Sequence, residues 1–324
     1  MKVIEVNSLS KIYGKNNVVK NVNLVVEKGE IYGFLGRNGA GKSTFINMIT
    51  GIIEPSSGSF TLLNEPNLQN VKRYIGVLPD YSTFYDSLTA IGHLKYFTGI
   101  HGKSISTAEC KWVLQRVGLS EHANKKAGKF SFGMKKKLGI AQAIAHDPEL
   151  IFLDEPTSGI DAESAIMIQK LILELKEAGK TIFMTSHNLN EVEKICTKIA
   201  IMKDGMIINE GTLDDLRALY LSSITIQIKH SSFSSKQDEV IPFLQSIGRE
   251  INLNGNKTTL ILDSEEKIPV IIRAMMNLKI DIYRINVDEP SLEEIFLDNR
   301  SQGNLIEENT KALSGTATKL KITI

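Results

Sequence analysis

The fourteen residues from Ile31 to Thr44, Ile-Tyr-Gly-Phe-Leu-Gly-Arg-Asn-Gly-Ala-Gly-Lys-Ser-Thr, constrain this chain more than any others. A short apolar strand, Ile31 to Leu35, runs into a turn carrying Gly36, Gly39 and Gly41, and Lys42-Ser43-Thr44 begin a helix expected to reach about Thr50. Gly36-x-x-x-x-Gly41-Lys42-Ser43 has both the spacing and the strand-to-helix setting of a phosphate-cradling P-loop. Glycines let the main chain reach positive φ and approach a polyanion without a Cβ in the way. Successive N–H groups and the helix N-terminus then form a concave, partly positive anion site. In such a loop Lys42 reaches the β- and γ-phosphates and the Ser43 hydroxyl ligates Mg²⁺. The competing reading, an ordinary glycine-rich turn, weakens as each later motif is added.

The 324 residues suffice for one large domain and a smaller one. Lys and Arg number 38 against 37 Asp and Glu, so the broad basic field expected of a nucleic-acid-binding protein is missing. No apolar run approaches the length that spans a bilayer. The start, Met1-Lys2-Val3-Ile4-Glu5-Val6, alternates like a strand rather than forming a signal-peptide core. Cys110 and Cys196 fit no metal or redox spacing and read as thiols in a reducing compartment. A cytoplasmic chain is expected, with any membrane role exerted through a partner.

Strands are expected at Val3–Val6 and Val18–Val26, with Tyr13 in a turn between them. An aromatic there either stacks on an adenine ring or joins the core. Further strands are expected at Ser59–Leu63 and Arg73–Leu78, the latter ending at Pro79-Asp80. The stretch from Ser87 to Ala127 has helical spacing, with Leu94, Phe97, Val113, Leu114, Val117 and Leu119 as its core and Trp112 at an edge. Lys125–Lys129 reads as a solvated loop. Ser131 is a credible N-cap for a helix running to about His146, whose Lys135–Lys137 read as a solvated face rather than a phosphate contact.

Leu150–Leu153 is a wholly apolar run, as a buried parallel strand should be, and it delivers Asp154-Glu155 to its C-terminal edge. Ligands of open α/β sheets bind at that edge. In a chain with a P-loop, these two carboxylates read as a metal-organising Asp and a base. Asp161 precedes a helix over about Ala162–Ala178, and the buried strand Thr181–Thr185 ends at Ser186-His187, which brings His187 to the same edge as Asp154. Ile199–Met202 and Met206–Asn209 form a hairpin.

Composition shifts near Tyr220. Strands at Ile224–Lys229, Glu250–Leu253, Thr258–Leu262 and Asp281–Val287 and helices at Glu239–Ile247 and Val270–Asn277 give a β-α-β-β-α-β order, the ferredoxin-like arrangement, with Asn254-Gly255-Asn256 as a hairpin turn. Ser291 would cap a last helix through Leu297, and residues 301–324 read as a disordered tail. The fold expected is α/β: a P-loop ATPase cassette over residues 1–220 with a helical insertion at about 87–146, then a smaller α+β domain over 221–300.

In order and spacing, the P-loop, Phe130–Met134, Asp154-Glu155, Asp161 and His187 resemble an ATP-binding cassette (ABC) ATPase over about residues 1–220. That resemblance implies ATP and Mg²⁺ as ligands. It makes Tyr13 the adenine-stacking aromatic and Gly36, Arg37, Asn38, Gly39, Ala40, Gly41, Lys42, Ser43 and Thr44 the phosphate loop. Ser43 and Asp154 organise Mg²⁺, Glu155 is the base for the attacking water, Asp161 lies in the D-loop, and His187 senses the γ-phosphate. Two such cassettes pair head to tail, so Ser131 and Gly133 of one signature close over the ATP of the other. The family signature is Leu-Ser-Gly-Gly-Gln; here Phe132 and Met134 depart from it. Asp80 stands where the Q-loop glutamine is expected, as a candidate metal ligand or as a link to the membrane partner.

The stretch Glu289–Phe296 looks like part of the accessory domain on ATPase subunits of exporters whose membrane-spanning permease is a separate chain. The implied protein is an exporter ATPase, homodimeric, with no nucleic-acid partner, peripheral on the inner face of the cell membrane through its partner. An importer ATPase or a translation factor is the alternative reading. The translation factor would carry two cassettes and a basic linker, and this chain has one cassette.

Overall fold

The computed structural model describes residues 1–80, 83–220, 224–233 and 237–288, and within them the apolar runs of the sequence become strands. In chain order these are β1 (Lys2–Tyr13), β2 (Asn16–Glu27), β3 (Ile31–Leu35), α1 (Lys42–Ile49), β4 (Ser57–Leu62), α2 (Leu68–Val71), β5 (Ile75–Leu78), α3 (Ala90–Ile100), α4 (Thr107–Arg116) and α5 (Phe132–Ile144). There follow β6 (Leu150–Asp154), α6 (Ala162–Glu177), β7 (Thr181–Ser186), α7 (Leu189–Ile195), β8 (Lys198–Lys203), β9 (Met206–Gly211) and α8 (Leu213–Tyr220). The last are β10 (Ile224–His230), α9 (Gln237–Ile247), β11 (Arg249–Asn254), β12 (Lys257–Leu262), α10 (Lys267–Asn277) and β13 (Ile282–Asp288). The chain divides into two compact units, Met1–Leu213 and Asp214–Ile324.

In the first unit, a six-stranded sheet has the order β5-β6-β7-β3-β8-β9, parallel except for β9, beside a three-stranded antiparallel sheet β2-β1-β4. Every residue of β3, β6 and β7 is buried. Because successive side chains of a strand point to opposite faces, each strand feeds two cores. Ile31, Ile151, Leu153, Ile182 and Met184 face a cluster shared with the helical insertion. Tyr32, Phe34, Phe152 and Phe183 face the cluster under the antiparallel sheet, where Phe34, Phe45 and Phe183 pack with ring centroids 4.9–5.9 Å apart. This double burial holds the C-terminal strand ends of β3, β6 and β7 at one level.

Three local expectations change. Arg73 and Tyr74 belong to a 3-10 turn, Lys72–Tyr74, and the strand starts only at Ile75. Its ladder partner β6 itself begins at Leu150, paired with Ile75, because Asp147-Pro148 breaks the chain just before. Phe97 is half-buried rather than core. The Lys125–Lys129 loop is pinned, since Ala127 is buried and its N–H donates to the Leu88 carbonyl at 2.9 Å.

The second unit has the sheet order β11-β12-β10-β13, all antiparallel, with Ile224, Ile226 and Ile228 alternating into a core closed by Val240 and Leu244 of α9 and Ile271 and Met275 of α10. That connectivity is the ferredoxin-like one. The expected Ser291–Leu297 helix, the Glu289–Phe296 stretch and the 301–324 tail lie outside the described residues.

Candidate nucleotide site

The turn after β3 shows why its glycines are required. At Gly41, φ is +108° and a Cβ would come within 2.7 Å of the Val18 carbonyl; at Gly36 it would meet the Met202 carbonyl at 2.6 Å. The loop is thus wedged against main chain on its outer side. Gly41 also caps α1 without any side-chain hydrogen bond, so the first N–H groups of that helix have no internal partner, as an anion site requires.

Arg37, Asn38, Gly39, Gly41, Lys42, Ser43 and Thr44 line a cleft of about 400 Å³ whose far wall is Asp80, Glu155, Ser158 and His187. Gly36 and Ala40 support it from behind: the Gly36 carbonyl accepts from Lys42 Nζ at 2.6 Å, and Ala40 is buried and tied to Gly205. Lys42 is itself buried, with Nζ 3.6 Å from Glu155 Oε1. The other oxygen of Glu155, Oε2, lies 2.7 Å from His187 Nδ1. One carboxylate therefore bridges Lys42 and His187. Glu155 holds φ at +51°, a conformation rarely adopted outside glycine and costing on the order of 1 kcal/mol or more. Its N–H donates to Thr185 Oγ1 at 3.0 Å.

Thr185 does two things at once. Its hydroxyl accepts that N–H and donates to Asp154 Oδ1, so one buried side chain at the end of β7 fixes both carboxylates at the end of β6. Burial pushes the Asp154 carboxyl up, opposed by the Thr185 and Ser43 hydroxyls. Asp154 Oδ2 is buried and has no hydrogen-bond partner. An unsatisfied carboxylate oxygen next to a hydroxyl is a hard-oxygen donor pair that suits Mg²⁺. Among the described residues no group of three His, Cys, Asp or Glu residues could hold a metal alone.

Two further residues escaped sequence reasoning. Lys136 is buried, contrary to the solvated face expected for Lys135–Lys137, and its Nζ donates to the Asp154 carbonyl at 3.0 Å. The register of α5 explains it, since Lys136 shares the inward stripe with Gly139, Ile140 and Ala143. Glu191 on α7 is likewise buried, accepting from Thr157 Oγ1 at 2.7 Å and Ser186 Oγ at 2.8 Å. It ties the loop after Glu155 to the turn carrying His187. Burial pushes its carboxyl up, and those two hydroxyls pull it back. A carboxylate on the apolar stripe with Val192 and Ile195 was the available signal.

Four expected residues lie away from this cleft. Tyr13 ends β1, exposed, under the Lys11 ammonium 5.0 Å from its ring, which removes the core alternative. Ser131 is the N-cap of α5, accepting from the Met134 N–H, and Asp161 is the N-cap of α6, accepting from the Ser164 N–H at 2.9 Å. Gly133 stands against Ile160, and the exposed ring of Phe132 fills the space where a Cβ on Gly159 would sit. None of the four lines the cleft formed by its own chain. A second groove opens beyond Asp80, lined by Val77, Pro79, Phe84, Tyr85, Phe97 and Gln142.

Comparison with known proteins places this geometry. The ABC transporter family matches residues 19–158, and the C-terminal domain of ATP-binding proteins DrrA1-3-like matches residues 211–299. The bacitracin transport ATP-binding protein BcrA of Bacillus licheniformis is 34% identical over 316 residues, covering 91% of this chain and 96% of its own. The linearmycin resistance ATP-binding protein LnrL of Bacillus subtilis is 32% identical over 306 residues, 91% of this chain and 97% of its own. Among solved structures, an ATP-binding subunit of an ABC transporter superposes with TM-score 0.63 at 31% identity, over 67% of this chain and 93% of that one. A dimeric cassette in a post-hydrolysis state bound to ADP and Pi gives 0.60 at 27% identity, over 65% and 98%.

Proposed function

Because the chain belongs to the ABC transporter ATP-binding proteins and is an ATPase of that family, we propose that it powers export of an antimicrobial compound through a separate membrane-spanning permease. The observation that carries this reading is the extent of the match. Relatives named for bacitracin transport and linearmycin resistance align over 91% of the chain, the C-terminal unit included, and not over the cassette alone. No described helix is long and apolar enough to cross a membrane, so a permease would come from another chain. On this reading the protein sits at the cytoplasmic face of the membrane.

In the proposed cycle the P-loop N–H groups and Lys42 bind the phosphates, and Tyr13 stacks on the adenine. Lys42 exchanges its Gly36 carbonyl for phosphate oxygens. Ser43 and Asp154 would hold Mg²⁺, which supplies charge neutralisation at the β- and γ-phosphates. Glu155, released from Lys42, orients and deprotonates the attacking water, while His187 faces the γ-phosphate. Most of the catalysis is positioning and electrostatic stabilisation. Ser131, Gly133 and Asp161 act across a two-fold interface on the partner cassette's nucleotide, which accounts for their standing outside their own cleft. The groove beyond Asp80 receives the permease.

The test reconstitutes the chain with its permease in vesicles that leave the ATPase outside. Added MgATP should drive a bacitracin-type peptide into the lumen, and Lys42→Ala should weaken nucleotide binding and stop it. Movement out of the lumen, or none with an active ATPase, overturns the export reading.

A further inference from the structure

Glu155 and His187 reach the cleft from different strands, one just beyond β6 and the other just beyond β7, and their side chains meet at 2.7 Å. Both stand past the last rungs of the sheet, where Asp154 pairs with Thr185 and Leu35 with Ser186. Their separation therefore depends on what joins the two loops. Glu191 of α7 joins them. It is 2% exposed, its Oε1 accepts from Thr157 Oγ1 at 2.7 Å, and its Oε2 accepts from Ser186 Oγ at 2.8 Å. On one side the bonds close a circuit: the Ser186 hydroxyl accepts the Asn188 N–H at 3.0 Å, and Asn188 Oδ1 accepts the Glu191 N–H at 3.3 Å. His187 is the residue enclosed between Ser186 and Asn188. On the other side, next to Thr157, the Ser158 N–H donates to the Glu155 carbonyl at 3.2 Å.

A buried carboxylate is a costly way to join two loops, and a methionine would fill the same space without a charge to desolvate. What the carboxylate supplies is direction. It accepts only, so both hydroxyls must point at it, and Ser186 keeps its lone pairs for the Asn188 N–H. A glutamine would offer a donor to one of the two hydroxyls and reverse that bond. We infer that Glu191 is a positioning residue for hydrolysis, which fixes the turn of His187 against the loop of Glu155 and so sets how closely the two side chains approach. Glu191 does not itself line the cleft, so its effect falls on turnover rather than on nucleotide binding. The inference deepens the proposed function and rests on its roles for Glu155 and His187.

The test compares full-length wild type, Glu191→Met, Glu191→Gln, His187→Ala and the two double variants for MgATP affinity and kcat, at a temperature where each is folded by circular dichroism. Glu191→Met should lose about 10- to 100-fold in kcat, as a misplaced catalytic group does, and keep MgATP affinity within about threefold of wild type. Glu191→Gln, nearly the same shape with one bond reversed, should lose less, and it carries the test if Glu191→Met does not fold. In the His187→Ala background either substitution should cost less than about threefold further, because the group being positioned is gone. A residue that only supports packing would give losses that multiply. Wild-type kcat in both Glu191 variants would overturn the inference, as would losses that multiply with His187→Ala, or a fall in MgATP affinity as large as the fall in kcat. Failure of the underlying reading looks different: His187→Ala would itself turn over like wild type, and the inference would fall with it.

Discussion

The two units bury different things. The first encloses two lysines and two carboxylates, Lys42, Lys136, Asp154 and Glu191. The second, among its described residues, encloses apolar side chains, Phe233 and Met275 among them, with His230 and Thr258, which share a 2.7 Å hydrogen bond. Burying a charge costs several kcal/mol unless it is paired, so charges are buried where they are used. The contrast assigns the chemistry to the first unit and packing to the second, and each half of that contrast can be broken.

The largest effect is expected at Glu155. Glu155→Gln should keep MgATP binding yet lose about 10²–10⁴-fold in turnover, the usual contribution of a positioned base. It should also trap an ATP-dependent dimer visible by size-exclusion chromatography; turnover near wild type would remove Glu155 from the chemistry. In the second unit, Leu260→Ala opens a cavity in a fully buried position and should cost about 2–5 kcal/mol of that unit's stability by urea titration. MgATP affinity should not move. If affinity falls while the first unit remains folded, the packing role of the second unit is too narrow.

Smaller still is Asp80→Asn, which should change turnover of the ATPase alone by less than about tenfold, under roughly 1.4 kcal/mol of barrier. A greater loss should appear only in coupling to the permease. A collapse like that of Glu155→Gln would place Asp80 among the metal ligands. The smallest effect at neutral pH concerns His146. Its Nε2 donates to the Ile75 carbonyl at 3.0 Å, its Nδ1 has no partner, and its ring stacks 4.1 Å from that of His101. Burial, then the neighbouring His101, push it down to about 4, with Lys103 acting the same way and Asp147 opposing. An unfolded chain protonates that ring near pH 6.5, so this contribution is intact above 6.5 and is lost as pH falls toward 4. His146→Asn should therefore show a smaller drop in thermal midpoint between pH 7 and pH 5 than wild type.

Much of the site was legible because its parts are contiguous. The P-loop is a strand, a glycine turn and a helix start in fourteen residues, and the runs Leu150–Leu153 and Thr181–Thr185 announce buried strands whose ends must share an edge. Thr185, Lys136 and Glu191 were not legible in that way. A threonine ending a strand looks like any β-branched strand residue, and only the neighbouring β6 gives its hydroxyl two partners. Lys136 sat within a basic triplet that charge counting treats as solvent-facing, although helical register already placed it inward with Ile140 and Ala143. The Arg73–Tyr74 strand failed for a related reason: a strand begins where its ladder partner does, and that is set by Pro148, some 70 residues away in sequence.

The helix α5 carries one more consequence. Ser131 at its start faces outward, and Lys136 is anchored under the end of β6, about 7.5 Å further along the helix axis. Hydrogen-bonded helix is stiff over one and a half turns, so the two positions move as one body. A displacement of Ser131 therefore pulls on the floor beneath Glu155, and a shift of that floor tilts Ser131. The stretch works like a short crank, passing a displacement between the end of β6 and the start of α5 without any large rearrangement of the sheet.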